Sequence, residues 1–143
     1  MNIAIGADHA GYELKKLIVN FLSDKGYQVE DFGCYSAESI DYPDYAHPVC
    51  HSIENGSNKF GILICGSGNG ISMAANKHAG IRAALSWMPE IAELARLHNN
   101  ANVLSIPARF VTDKIALKIV DVFFNTEFEG GRHQTRIDKI ACR

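Results

Sequence analysis

A cysteine and a glycine-rich turn lie together in the middle of the chain, in ILICGSGNGISMAANK over residues 62–77. Cys65 ends a β-like apolar run, and Gly66, Gly68 and Gly70 lead into a helix-like segment. Backbone N–H groups at such a turn suit a phosphate or a developing oxyanion. A thiol beside a helix start ionises readily and can act as a nucleophile or general base. The alternative is a small buried hydrophobic residue.

This glycine pattern differs from the common nucleotide-binding motifs. GxGxxG requires glycine at the position of Ile71, and no acidic residue ends the fourth predicted strand to bind a ribose. A Walker Lys-Ser/Thr pair is also missing from the sequence. Ser67 adds a hydroxyl that can donate a hydrogen bond or cap the following helix. The pattern therefore favours an anion-binding turn over a dinucleotide site.

Polar residues also follow the first and fifth predicted strands. Asp8 and His9 come directly after the first strand, and Arg109 lies in the loop after the fifth. In open α/β sheets, ligands bind beyond the carboxyl ends of the strands, at the topological switch point. We therefore expect a carboxylate, an imidazole and the Cys65 thiol to meet between the first and third strands.

His98 falls at the end of a predicted helix, on a stripe shared with Ile91, Leu94 and Ala95. Helical spacing predicts that this stripe, and His98 with it, faces the protein interior. A histidine of this kind is either a structural residue or a general acid.

Two arginines of the tail, Arg132 and Arg136 in EGGRHQTR, are four residues apart. If this segment is helical, their guanidinium groups share a face and can bind one phosphate together. The alternative is a solvated basic face.

The stretch HPVCH places His47, Cys50 and His51 at spacings that resemble a metal cluster. It lacks the glutamate of the HExxH motif, and Pro48 disturbs the first turn of the predicted helix. The sequence therefore predicts no metal site.

Short apolar runs alternate with helical patterns along the chain. This alternation, with buried strands, predicts a single three-layer α/β/α domain over residues 1–143. Its five-stranded parallel sheet would be doubly wound and Rossmann- or flavodoxin-like, with strand order 2-1-3-4-5. A short helical tail would occupy residues 127–143. The strands are predicted at 3–7, 27–32, 60–65, 81–87 and 102–107, and the helices at 12–25, 45–54, 71–77, 89–98 and 112–124.

Composition is that of a soluble globular domain. The 143 residues are 47% hydrophobic and 21% charged, and the net charge of −2 predicts neither nucleic acid nor an acidic membrane as a partner. No apolar run approaches the ~20 residues of a membrane span, and Asp8 comes too early for a signal peptide. The four cysteines form no CxxC pair and predict reduced thiols in the cytoplasm.

Six segments, in order along nearly the whole chain, together resemble the type B ribose-5-phosphate isomerases of the ribose/galactose isomerase family. The resemblance implies an isomerase without metal or cofactor that interconverts ribose 5-phosphate and ribulose 5-phosphate through an enediolate. Many relatives have threonine at Ser67, where the hydroxyl is kept. The segments are GADHAG, DYPDYA, ILICGSGNGISMAANK, GIRAA, LHNNANVL and EGGRHQTR.

The same resemblance implies roles for individual residues. Cys65 would move the proton between C2 and C1, His98 would open the furanose ring, and Asp8 would bind sugar hydroxyls. Family members are dimers or larger and share sites between subunits, which implies that the tail packs on a partner subunit. The anion hole would comprise Gly66, Ser67, Gly68, Asn69 and Gly70 with Asn99, and the phosphate would be bound mainly by His9, Arg109, Arg132 and Arg136.

Two alternatives stay open. A hexose 6-phosphate isomerase, acting on allose or galactose 6-phosphate, fits the same family. A non-catalytic phosphosugar-binding module could keep the arginines, but it has no reason to retain Cys65 and His98 together. A phospho-receiver is disfavoured, because the third predicted strand ends in cysteine instead of aspartate.

Overall fold

The computed structural model describes residues 1–142, in which strands and helices alternate along the chain. Within this range, five strands form one sheet and six α-helices flank it. A short 3-10 turn, His9–Gly11, joins the first strand to the first helix. The elements are β1 (Asn2–Ala7), α1 (Tyr12–Asp24), β2 (Gln28–Asp31), α2 (Pro43–Glu54), β3 (Phe60–Cys65), α3 (Asn69–Ala75), β4 (Ala83–Leu85), α4 (Pro89–Asn99), β5 (Val103–Pro107), α5 (Asp113–Phe124) and α6 (Arg132–Asp138).

All strand pairs of the sheet are parallel, which confirms the predicted α/β class. The predicted order 2-1-3-4-5 is wrong for the last two strands, because the sheet has the order β2-β1-β3-β5-β4. All residues of β5 are buried, whereas the three residues of β4 are only partly covered. A strand that is apolar on both faces belongs inside the sheet. A very short strand is suited to the edge.

Helices cover both faces of the sheet and confirm the three layers. The side chains of β3 alternate between these faces, as in any strand. Ile62 and Ile64 pack in the cluster that includes α1, α4 and α5, whereas Leu63 and Cys65 pack in the cluster under α2 and α3. Each fully buried aliphatic side chain stabilises the fold by about 1.5–3 kcal/mol.

The second helix begins earlier than predicted. α2 starts at Pro43, two residues before the expected start at Tyr45, and Pro43 occupies the first turn. Pro48 therefore lies inside the helix and not in its first turn, where the sequence pattern placed it. Since proline has no N–H group, the helix lacks one backbone hydrogen bond at this point.

The tail contains the predicted short helix. α6 packs against α4, and the segment between α5 and α6 is held by the Glu129 N–H group, which donates to the Leu97 carbonyl oxygen at 3.0 Å. The position of the tail is therefore tied to the end of α4.

The helices are short. The longest, α1, has 13 residues, whereas a membrane span takes about 20 apolar residues. Among residues 1–142, no helix has the length and apolar character needed to cross a bilayer.

Candidate active site

The carboxyl ends of β1 and β3 lie side by side and bring Asp8 next to Cys65. The two strands pair with Ala7 opposite Ile64, so the residues that follow, Asp8 and Cys65, lie at the same level along the strands. The Asp8 N–H group donates to the Ile64 carbonyl oxygen at 3.0 Å. The crevice expected between the first and third strands is therefore where these two side chains lie.

The Asp8 carboxylate is held by the backbone that follows it. Its Oδ1 accepts the N–H groups of Ala10 at 2.9 Å and Gly11 at 3.2 Å, which makes Asp8 the cap of the 3-10 turn. A Cβ atom on Gly11 would lie 2.6 Å from Ile64 Cγ2, so the turn packs directly on β3. These bonds engage Oδ1 and leave Oδ2 as the oxygen that can accept a hydrogen bond from a ligand.

The Cys65 thiol contacts the glycine turn. Its Sγ accepts the Gly68 N–H group, with an N···S distance of 3.1 Å. An N–H group binds an ionised acceptor more strongly than it binds a neutral acceptor. The structure thus places the sulfur beside an amide donor, as the sequence predicts, but Cys65 is only 5% exposed.

The turn after β3 depends on the conformation of Gly68. Its φ of 76° lies in the left-handed region that favours glycine. The buried Ser105 hydroxyl donates to the Gly68 carbonyl oxygen at 2.9 Å, and Ser67 Oγ accepts the Asn69 N–H group at 3.3 Å. Two of the five amides expected to bind an anion, those of Gly68 and Asn69, therefore already have acceptors within the turn.

Arg109 lies against the same turn from β5. The Arg109 N–H group donates to the Gly66 carbonyl oxygen at 3.0 Å, and the Ala108 N–H group donates to the Cys65 carbonyl oxygen at 2.9 Å. A Cβ atom on Gly66 would be 3.1 Å from Arg109 Nη1. The observed strand order explains this contact, because β5 and not β4 is the neighbour of β3.

His9 and Tyr42 connect the long loop after β2 to the carboxyl ends of the strands. His9 Nδ1 accepts the Ile40 N–H group at 3.3 Å. The Tyr42 ring lies over Gly70, where a Cβ atom would be 2.5 Å from its Cζ. Tyr42 was not among the predicted site residues, although it belongs to the DYPDYA segment. We call Asp8, His9, residues 65–70 and Arg109 the Cys65 cluster.

His98 and Asn99 lie at the opposite end of the strands, the amino end. α4 follows β4 and returns antiparallel to it, so its last residues reach the amino ends of the strands, just before β5 begins. The six residues of β3 separate the two ends by about 20 Å at ~3.3 Å per residue. One chain therefore does not bring His98 to Cys65.

The prediction that His98 faces the interior is wrong. Its side chain is 41% exposed, and Leu94 on the same stripe is 43% exposed. The buried residues of α4 are Ala92 and Ala95, whose small side chains let the helix approach the sheet, and Arg96. The stripe is therefore divided, because Ala95 packs in the core whereas Leu94 and His98 remain partly exposed.

His98 contacts a histidine that the sequence argument did not select. Its ring stacks on that of His133, with centroids 4.3 Å apart and planes at 14°. Its Nε2 lies 3.8 Å from Glu129 Oε2. Removal from water, together with the charge of His98, lowers the pKa of His133. His133 lies within EGGRHQTR, but no spacing rule marked it.

Arg132 and Arg136 share one face of α6, as their spacing predicts. Arg136 Nη1 donates to the Arg132 carbonyl oxygen at 3.3 Å, and both side chains are exposed. The charges of both contribute to the environment of His133. We call His98, Asn99, Arg132, His133 and Arg136 the His98 cluster.

Two groups of metal-ligand side chains occur within residues 1–142. His98, Glu129 and His133 form one, in the His98 cluster. The other, His51, Glu54 and His78, lies on α2 and the segment after α3.

The profile of the family described as Ribose/Galactose Isomerase matches residues 3–140. The chain belongs to the ribose/galactose isomerase family. It is 48% identical over 140 residues to the ribose-5-phosphate isomerase B of Escherichia coli, covering 98% of this chain and 94% of the relative.

Solved structures of the ribose/galactose isomerase family share the whole fold. The ribose-5-phosphate isomerase B of Clostridium thermocellum has a TM-score of 0.97 and 49% identity, covering 98% of this chain and 95% of that chain. That of Mycoplasma genitalium, with bound ribulose-5-phosphate, has a TM-score of 0.93 and 51% identity. The match covers 97% of this chain and 93% of the Mycoplasma genitalium chain.

Replacing Ser105 by alanine should loosen the glycine turn. The substitution removes the donor to Gly68 and should lower the free energy of unfolding by about 1 kcal/mol, measured by urea denaturation. Alkylation of Cys65 by iodoacetamide, followed by peptide mass spectrometry, should become severalfold faster. Ser86→Ala is the matched control, because Ser86 is equally buried but donates only to Ala84, at 3.5 Å. Equal alkylation rates in both variants would contradict this role of Ser105.

Proposed function

We propose that the chain interconverts D-ribose 5-phosphate and D-ribulose 5-phosphate, a step of the non-oxidative pentose phosphate pathway. The observation that carries the proposal is the Cys65 sulfur at the carboxyl end of β3, with the Gly68 amide donating to it and Asp8 directly after the adjacent strand β1. The bound ribulose-5-phosphate of the Mycoplasma genitalium relative supports the substrate. The four free cysteines support a cytoplasmic location.

Proton transfer is the only chemistry that this isomerisation needs. The Cys65 thiolate removes the proton from C2 of the open-chain aldose, which gives an enediolate. One proton moves from the C2 oxygen to the C1 oxygen, and the thiol returns its proton to C1, so the carbonyl group ends at C2. Ser67 and the remaining amides of residues 66–70 face the developing oxyanion, and one such donor typically contributes about 10²–10³-fold in rate.

The Asp8 carboxylate and the arginines orient the sugar phosphate. Asp8 Oδ2 accepts from a sugar hydroxyl, since Oδ1 is bound to the backbone. His9 and Arg109 bind at the crevice, where Arg109 lies over Gly66. Because a guanidinium group presents a planar pair of donors, it suits a phosphate better than a single point charge does.

The complete site requires a second subunit. His98, which opens the furanose ring, Asn99 and the α6 arginines are about 20 Å from Cys65 in one chain, farther than a pentose phosphate reaches. A two-fold dimer supplies the His98 cluster of one chain to the Cys65 cluster of the other, and the tail 127–143 then packs on the partner. The half-exposed Leu94 on the His98 stripe supports such an interface.

A large apolar surface beside the glycine turn also supports a partner chain. Trp87 is 52% exposed and Phe110 is 74% exposed. They line an open depression of about 380 Å³ together with Ser67, Asn69, Leu85 and Pro107. Apolar side chains grouped in this way are typical of an interaction surface.

Competing substrates test the proposed reaction against the alternatives. Purified, reduced protein should convert ribose 5-phosphate with a kcat/KM at least about tenfold above those for allose 6-phosphate and galactose 6-phosphate, because one added carbon fits a pentose pocket poorly. A coupled assay of each ketose product measures this. A preference for a hexose phosphate would support the other isomerase, and binding without turnover would support a non-catalytic module.

Replacing Cys65 by alanine should lower kcat by about 10²–10⁴-fold, the usual contribution of a general base, while the Kd of ribose 5-phosphate changes only a few-fold. Cys50→Ala is the matched control. Cys50 lies in the same apolar cluster, and burial raises its pKa to about 12, so it remains a neutral thiol. Near-normal turnover of the Cys65→Ala protein would assign the base to another residue.

Mixing two inactive variants tests the shared site. Cys65→Ala and His98→Gln proteins should each be nearly inactive. After denaturation and refolding together in equal amounts, about a quarter of the wild-type activity should return, because each mixed dimer has one intact site. Cys65→Ala mixed with Asp8→Asn is the control, since both changes lie in one cluster and no mixed dimer regains a site. Equal recovery in the two mixtures would contradict division of the site between subunits.

A further inference from the structure

We propose that His51, Glu54 and His78 bind one divalent transition-metal ion such as Zn²⁺, with His47 holding the ring of His78. These four residues, which we call the His78 group, lie on α2 and on the segment after α3. Both helices return toward the amino ends of the strands, so the group lies at that end of the sheet, and Cys65 lies at the carboxyl end.

The spacing on α2 places three polar side chains on one face of the helix. His47, His51 and Glu54 are at positions i, i+4 and i+7, which lie one above another on a helix. Cys50, which the sequence pattern grouped with the two histidines, points into the core instead and is fully buried. Glu54, about one turn after His51, adds a carboxylate to this face, and the fourth residue, His78, comes from another segment.

The ligand atoms already converge. One ligand atom from each of His51, Glu54 and His78 lies within 4.8 Å of the other two. Glu54 Oε2 is 3.1 Å from His78 Nδ1 and 3.8 Å from His51 Nδ1. Tetrahedral zinc with bonds of about 2.0–2.1 Å holds its ligand atoms about 3.3 Å apart. Only His51 must move, and its side chain is 69% exposed and free to do so.

Glu54 and His78 each have a second polar atom, and a neighbouring group binds that atom and orients the side chain. The Gly80 N–H group donates to Glu54 Oε1 at 3.0 Å, which leaves Oε2 for a metal. His47 Nδ1 lies 2.7 Å from His78 Nε2. When His78 donates its Nε2 proton to His47, its Nδ1 lone pair points at the carboxylate, and a cation joins the two. Hydrogen bonds of this kind orient metal ligands and fix the tautomer of a histidine.

The donor set selects the kind of metal. Two imidazole nitrogens and one carboxylate oxygen favour zinc, nickel or copper over magnesium and calcium, which take oxygen ligands. Two histidines and a glutamate leave one position of a tetrahedral ion open to water. Since the ligands come from α2 and from the segment after α3, a bound ion links the two helices of this layer.

Zinc titration tests the site. In a Cys142→Ser background, which removes the exposed thiol, the EDTA-treated protein should bind Zn²⁺ at the His78 group in calorimetry near neutral pH. Saturating Zn²⁺ should raise Tm by about 5–10 °C, because it binds only the folded state. His51→Ala and His78→Ala should each weaken this binding at least about 100-fold, and His47→Gln about tenfold.

A matched variant separates this site from the second group of potential ligands. His133→Ala removes a member of the His98, Glu129 and His133 group and should leave Zn²⁺ binding at the His78 group unchanged. Circular dichroism checks that each variant is folded, and the exposed His51 makes His51→Ala the safest one. Failure of the parent protein to bind Zn²⁺, or equal affinity in the His51→Ala protein, would overturn the proposal. Loss of binding in His133→Ala alone would do the same.

Discussion

Backbone hydrogen bonds join the residues at the carboxyl ends of β1, β3 and β5, which we call the strand exits. The Cys65 cluster is built on these three exits. The residue after β1 donates to β3 through the Asp8 N–H group and the Ile64 carbonyl oxygen. The residues after β5 donate to the exit of β3, through Arg109 and Gly66 among others. Because these bonds continue the parallel ladder, the backbone at one exit cannot shift without disturbing its neighbours. The parallel register thus fixes the backbone positions from which the Asp8, Cys65 and Arg109 side chains project.

Local sequence signals were sufficient to predict these exits. Cys65 ends a buried apolar run, and the glycines mark the turn, so the end of β3 and its direction could be read from adjacent residues. The order of β4 and β5 could not, because it depends on which strand fills the open side of β3. That choice follows from burial of both faces of β5 and from the shortness of β4, which only the folded sheet displays.

The error at His98 has a different physical origin. An apolar stripe on a helix predicts burial, but it does not distinguish the core of the same chain from the surface of another. Ala92 and Ala95 occupy the buried face, whereas Leu94 and His98 remain half-exposed. The direction of α4 was implied by the alternation itself, since a helix that follows a parallel strand must return to the amino edge. Applying that rule to the end of α4 would have placed His98 away from Cys65.

Division of the proposed site between subunits also has an electrostatic consequence. Within one chain, Arg109 lies at one edge of the sheet and the two arginines of α6 at the other, so their mutual repulsion is small across about 20 Å. The proposed dimer brings the guanidinium groups of Arg109, Arg132 and Arg136 around one pocket, where like charges destabilise each other. A phosphate dianion in that pocket exchanges repulsion for charge-assisted hydrogen bonds. Substrate binding then strengthens the contact between subunits, and association of subunits strengthens substrate binding by the same factor.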